Sequence, residues 1–294
     1  MKVAYLCLAH DNFEYVDWLA KHLTQDGDGF FLHVDKKSVF PEKVLGNSSH
    51  VTFLSDKERV RSQWGSFAIV KATIRLLKLA LKDAREFDAF FLVSGHDYPL
   101  YSARSIKAKL RKGNDYISVW EVVSSESKDK EFFGRHYYEY DILNPGLSYK
   151  SGSRLRIYFS MIMNLIISNV PISDNFQFEN YAKGSQWWCL SRDTCQSIIQ
   201  EIERGLKVSE FELMHAPDEK FFQTLYFNLI NPLVDKYSSR VLHALHYIDW
   251  EGRNGPKLHF ELEHANIARE EGALFARKIS QSSMQIVINS SGVE

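Results

Sequence analysis

Cysteine is scarce in this chain: three in 294 residues, Cys7, Cys189 and Cys195, with no Cys-x-x-Cys spacing. That excludes a dense disulfide framework and a cysteine-based zinc site, and it fits reduced thiols in a reducing compartment. An excess of either charge is missing too. Thirty-six Lys and Arg stand against thirty-seven Asp and Glu, so the chain as a whole lacks the electrostatic footprint of a nucleic-acid binder. No stretch reaches the roughly 18 uninterrupted apolar residues of a membrane-spanning helix. The opening apolar run, Val3 to Ala9, is short for a signal segment, and Asp11 and Glu14 follow it closely. Repeats, low-complexity blocks and Gly/Pro-rich linkers are lacking. These absences lead us to expect one domain, 1–294, that is cytoplasmic or peripheral at the inner face of a membrane.

What is present is a β-α-β opening. Val3 to Ala9 reads as a buried strand, and Phe13, Val16, Leu19, Ala20 and Leu23 line one face of a helix. Phe30 to Val34 reads as a second strand ending at Asp35. This order favours a parallel sheet with right-handed crossovers. Val51 to Leu54, Asp88 to Val93, Asp115 to Trp120 and Trp187 to Ser191 read as further strands. Ser66 to Leu81 and Asp193 to Glu203 read as helices, and Pro217 suits the first position of another that runs through Leu225. Residues 121–153, with Pro145, Gly146 and Gly152, read as irregular. Ile157 to Ile172 is strongly apolar and follows Lys150, Arg154 and Arg156. The simpler reading is a core helix ended by Pro171; the other is a basic, membrane-facing amphipathic element. From Arg240 the chain reads as loop-rich, with a polar tail after Ile279 in which Met284 to Ile288 is a strand candidate. Within the single domain we expect a nucleotide-binding half (1–120), a variable acceptor-side region (121–182), a catalytic and diphosphate-binding half (183–280) and a tail (281–294).

Ligands of open α/β sheets bind beyond the carboxyl ends of the strands. Three polar clusters fall there: His10-Asp11-Asn12, Asp35-Lys36-Lys37 and Ser94-Gly95-His96-Asp97. Neither a Gly-x-Gly-x-x-Gly turn nor a P-loop accompanies them. An Asp-x-Asp pair to hold a divalent ion on a diphosphate is also missing after any strand. Asp35 suits a hydrogen bond to a ribose or base, or equally the cap of a turn. Asp97 suits a metal or a sugar hydroxyl, or the turn chemistry that Asp and Pro favour. Glu219 stands at a helix start, where an acid complements the helix dipole or, turned into a cleft, takes a proton. Arg277 and Lys278 are either solvated cations or a grip on a diphosphate.

Taken together, several segments resemble the core-2/I-branching family, which includes the peptide O-xylosyltransferases. They are Ala9-His10; Leu32 to Lys37; Arg61-Ser62-Gln63-Trp64-Gly65; Phe90 to Leu100; Gly184 to Arg192; Ala216-Pro217-Asp218-Glu219-Lys220 with Phe221 to Thr224; Leu245 to Trp250; and Phe275-Ala276-Arg277-Lys278. The resemblance implies a GT-A-like, Rossmann-type nucleotide-sugar transferase fold, α/β with a central, mostly parallel sheet flanked by helices. It implies inverting transfer of a sugar, N-acetylglucosamine or xylose, from a UDP-sugar to a glycan or lipid-linked glycan. By the matching motifs, Glu219 is the catalytic base. Arg277 and Lys278 hold the diphosphate in place of a metal, and Asp35 lies near the uridine. His10, Ala9, Arg61 and Ser94 are expected on the donor side. Asp97, Trp187, Trp188 and Asp218 are expected towards the sugar and acceptor. No cofactor and no metal are expected. Animal members carry membrane anchors and lumenal disulfides that this sequence does not show, which points to a bacterial-type member acting in surface polysaccharide or glycoconjugate synthesis. A noncatalytic carbohydrate-binding protein and a nucleotide-sugar hydrolase are the alternatives.

Overall fold

The computed structural model describes residues 1–25, 27–45, 50–136, 154–172, 176–231, 245–248 and 260–290. Lys150, Pro145, Gly146, Gly152, Asp249, Trp250 and the last four residues lie outside them.

Strands β1 (Val3–Ala9) and β2 (Gly29–Val34) are apolar along their length because both sheet faces are covered. Helix α1 (Phe13–Leu23) joins them, and α2 (Glu42–Leu45) leads to β3 (Val51–Phe53). Helix α3 (Phe67–Leu81) crosses back to β4 (Ala89–Ser94), and β5 (Asp97–Pro99) follows after two residues. Then come α4 (Ala103–Lys109), β6 (Glu121–Ser124), α5 (Lys130–Phe133), α6 (Arg154–Ser168), β7 (Asn180–Lys183), β8 (Cys189–Ser191) and α7 (Arg192–Glu203). A single 3₁₀ turn, Pro217–Glu219, precedes α8 (Phe221–Leu229), and the chain continues through β9 (His246–Ile248), α9 (Ala265–Glu270), β10 (Phe275–Arg277) and α10 (Gln281–Ser290).

The main sheet has the order β3-β2-β1-β4-β8, parallel except for β8. Period-two alternation divides its residues between two cores. Ala4, Leu6, Phe31, Phe90 and Leu92 pack with Trp188 and helices α3, α7 and α8. Tyr5, Cys7, Phe30, Leu32, Phe91 and Val93 pack with α1 and Phe275 on the opposite face. The three cysteines are free and buried. Two small sheets complete the frame: β5-β10-β9 and the hairpin-like pair β6-β7.

Several expectations change. The tail after Ile279 is largely helical: α10 tucks Met284 and Val287 against Tyr15, so Met284 to Ile288 is not a strand. Residues 121–124 are a strand rather than irregular, paired with β7. Tyr116 makes one isolated bridge to Cys189, and Asp115 to Trp120 forms no longer strand. The helix expected from Pro217 is broken at Lys220, whose φ of −124° is not helical. Helix α6 is not a core helix, since among its described side chains Ile167 alone is fully buried.

Candidate active site

The strand order reverses at β1, with β2 and β3 on one side and β4 on the other, which opens a crevice beyond the carboxyl ends of these strands. A hollow of about 300 Å³ occupies that place, lined by Ala9, His10, His33, Asp35, Ser62, Ser94, His96, Gln186, Trp187, Arg277 and Lys278 among others. The three strand-end clusters therefore converge as their positions in sequence imply.

Asp35 is buried at the end of β2, and its backbone N–H donates to Ala9 O at 2.8 Å. Its carboxylate accepts from Lys37 N (2.8 Å), from Ser62 N (3.2 Å) and from the Ser62 hydroxyl. It thereby fixes the loop carrying Ser62 along the hollow. Arg61, one residue earlier, is half-buried and is not a lining residue. His33 accepts from Val60 N at 3.1 Å, and burial brings its pKa down to about 4, so its ring is neutral at physiological pH.

Asp97 is fully buried and does not face the hollow. Ser94 donates to it twice, through N at 2.8 Å and Oγ at 2.7 Å, and His246 Nε2 lies 3.1 Å away. Arg277 stands opposite it in the β5–β10 register, with Nε 3.6 Å from Oδ1. Burial alone would raise the Asp97 pKa, but Arg277 and His246 outweigh it and hold the value at about 2. The expected ligand contact is thus replaced by a fixed anion behind Arg277. The Arg277 guanidinium lies 3.8 Å above the Trp187 ring, and its Nη1 is buried with no hydrogen-bond partner among the described residues. Lys278 is half-buried beside it, and burial followed by the charge of Arg277 lowers its pKa. The cationic pair stands together at one end of the hollow, while the carboxylate of Asp35, also on its lining, is engaged by Lys37 N and Ser62; the cationic end suits an anionic ligand.

Trp188 is displaced from its expected place at the sugar end. It is a core residue, fully buried with its ring 5.0 Å from that of Phe222, because side chains alternate across an extended segment and Trp187 takes the ligand side.

Glu219 does not line the hollow. It stands in the neighbouring loop, half-buried, with its backbone carbonyl accepting from Gly184 N at 2.8 Å. Burial raises its pKa, while Lys183, with Nζ 3.9 Å from Oε2, and Lys220 pull it back. Asp218 is pushed up to about 7 by burial and by Glu219, and Arg277 is close enough to oppose that rise. The Asp218 Oδ1 atom is buried without a partner. Lys220 Nζ is spent on the backbone, donating to Phe132 O (2.7 Å) and His215 O (2.8 Å), and burial takes its pKa down to about 8. Ala216, at φ 47°, occupies a left-handed conformation costly for a residue with a Cβ, and its N–H donates to Gly65 O. The loop of the proposed base is therefore braced from three directions.

Among the described residues, His10, Asp11 and His96 form a group whose ligand atoms all lie within 4.8 Å of one another at the rim of the hollow. His96 Nε2 is 3.2 Å and His10 Nε2 3.5 Å from the Asp11 carboxylate. This is where a divalent ion would find ligands; Asp35 and Asp97 have their oxygens engaged. Sequence reasoning assigned no role to Lys183, Gln186, His33 or His246. Lys183 lies one residue before the quoted Gly184 to Arg192 segment, while the others stand in quoted motifs whose identity does not say which way each side chain turns.

A mostly parallel central sheet flanked by helices, with a hollow at its strand tips that carries a cationic pair and has acidic residues in the next loop, is a GT-A-like α/β fold. The family model of the Core-2/I-branching enzymes matches residues 3–271, and the chain belongs to that family. It is similar to a xylosyltransferase of Ciona intestinalis, 21% identical over 98% of this chain; the chain spans 33% of that relative's length.

Proposed function

We propose that this chain is an inverting glycosyltransferase that moves N-acetylglucosamine or xylose from a UDP-sugar to a hydroxyl of a glycan acceptor. The observation that carries this reading is the buried Nη1 of Arg277, unpartnered among the described residues, beside Lys278 on a strand-end hollow. A diphosphate would supply the missing acceptor and a counter-charge at the Lys278 end of the hollow. The step is one displacement. The acceptor hydroxyl gives its proton to Glu219, its oxygen bonds to the anomeric carbon, and the bond from that carbon to the UDP oxygen breaks. The electron pair leaves with UDP, and the growing charge falls on Arg277 and Lys278, which contribute most in the transition state.

Base catalysis of this kind is worth about 10²–10⁴-fold. Glu219→Gln should therefore lose at least about 10²-fold in transfer while UDP still binds; transfer at the wild-type rate would remove the base assignment. The reading needs no metal, so transfer should persist in excess chelator. The His10–Asp11–His96 group favours a second reading in one respect: loss of activity in chelator, restored by Mn²⁺ and not restored in Asp11→Asn, would place a cation at that rim. Release of UDP with no acceptor consumed would instead favour a hydrolase. Neither UDP release nor transfer would favour a carbohydrate-binding protein on the same fold.

A further inference from the structure

Helix α6 wears its apolar side chains outward. Ser160, Met163, Asn164 and Ile167 recur at helical spacing on the inward face and are half-buried or buried. Tyr158, Phe159, Met161, Ile162, Leu165 and Ile166 lie on the other face, between 40% exposed at Phe159 and 67% at Leu165. At 100° per residue these six fall within an arc of about 160°. A contiguous apolar face of this kind marks a surface that meets a partner or a membrane.

The surroundings favour lipid. Residues Ser168 to Ile172, which end the helix and follow it, form one wall of a second cavity, of about 620 Å³. The other walls bring the cations Lys128, Lys130 and Arg135 to it, with Glu131 as the one acid among the lining residues; His136 and His215 also line it, and burial lowers the pKa of both, so they add hydrogen-bonding groups and not charge. A cationic hollow at the end of an apolar stripe matches the chemistry of an anionic headgroup beside its acyl chains. Arg154 and Arg156 lie in the helix's first turn. Fifteen residues make a helix of about 22 Å, short of the roughly 30 Å hydrocarbon core, so α6 suits lying in the interface and not crossing it. His215 also begins the loop that carries Glu219, and its ring lies 5.8 Å from that of the exposed Trp64.

We propose that α6 docks the protein on an anionic lipid surface, with the adjoining basic cavity taking the lipid phosphate. On the transferase reading above, on which this part rests, the docked surface brings a lipid-linked acceptor to Glu219.

The test is co-sedimentation of the full chain with phosphatidylcholine vesicles, with and without phosphatidylglycerol. Wild type should pellet with the anionic vesicles. Ile162→Asp/Leu165→Asp, both at exposed positions, should reduce that binding by about tenfold or more, with an unchanged circular dichroism spectrum and an unchanged thermal shift on UDP. Lys130→Glu/Arg135→Glu should lose the preference for phosphatidylglycerol. Equal recovery of wild type in the supernatant with both vesicle types overturns the docking. So does a wild-type dimer in sedimentation velocity that the α6 double variant splits, which would give the face to a second copy. A failure of UDP to shift the melting temperature strikes the transferase reading and leaves the docking result standing.

Discussion

Asp97 shows how far one buried charge organises this site. Its folded pKa, near 2, lies below the ordinary 3.8, so its contribution to stability is present above about pH 4 and is lost as pH falls through about 2. Asp97→Ala would strand Arg277 in the interior without its counter-charge. Breaking a buried pair in this way costs about 3–5 kcal/mol, which denaturant unfolding would read, and UDP affinity measured calorimetrically should fall with it. Glu219 works in the opposite sense. Its pKa is raised, and a base acts when deprotonated, so activity should rise with pH along a limb lying above the usual 4.5. Lys183→Met removes a cation that favours the carboxylate and should move the acid limb of kcat/KM upward. The move should be small, because both groups are about one-third exposed and solvent screens them. At this scale the sequence was partly legible: the motifs named Glu219, Arg277 and Asp97, but not that Asp97 would face a guanidinium instead of a ligand. That distinction depends on the β5–β10 register, which pairs residues 180 positions apart in the chain.

Among the elements, those with a long periodic or apolar signal were read well. Helix α1 has the bounds its spacing implies, and β1, β2 and β4 fall within a residue or two of theirs. Of the three-residue strands, β3 and β8 were read inside longer apolar segments, whereas β5, β9 and β10 were not, because so short a run next to polar residues shows no alternation and gains its order from cross-strand partners. Helix α6 was read as helical but turned to the wrong partner: apolar content announces burial without saying in what. Gly184, after β7, makes an element-level demand of its own. A Cβ there would meet Ser118 O at 1.7 Å, and the Gly184 N–H holds the Glu219 carbonyl. Gly184→Ala should therefore lower the melting temperature and reduce kcat together, measured by calorimetry and by initial rates, whereas Gly113→Ala, strained at φ +83° but with no neighbour within 4 Å, should lower the melting temperature and leave kcat unchanged.

For the whole molecule, the site is a meeting of distant segments: 9–10, 35, 62, 94–96, 186–187 and 277–278 around one hollow. The convergence followed from a general rule about parallel sheets, so the place of the site was legible before its geometry was. Glu219 fell outside the hollow's lining because its loop is braced from α5 and from the 61–65 loop, contacts that no local pattern encodes. If the hollow takes UDP, saturating nucleotide at about 100 Kd adds about 2.7 kcal/mol, which in a chain of this size raises Tm by roughly 4 °C. UDP should produce that shift and the Arg277→Ala variant should reduce it, as differential scanning fluorimetry would show.

The pairing of β10 with β5 also fixes a moment in the life of the chain. On the ribosome, residues 3–94 emerge before β10 and hold the four strands of the parallel frame. The strand bearing Arg277 arrives some 180 residues later. Until it inserts beside Asp97, that carboxylate has no guanidinium to answer it, and the hollow lacks its cationic pair. The two ends of the hollow are thus made at different times, and the charged one is the later.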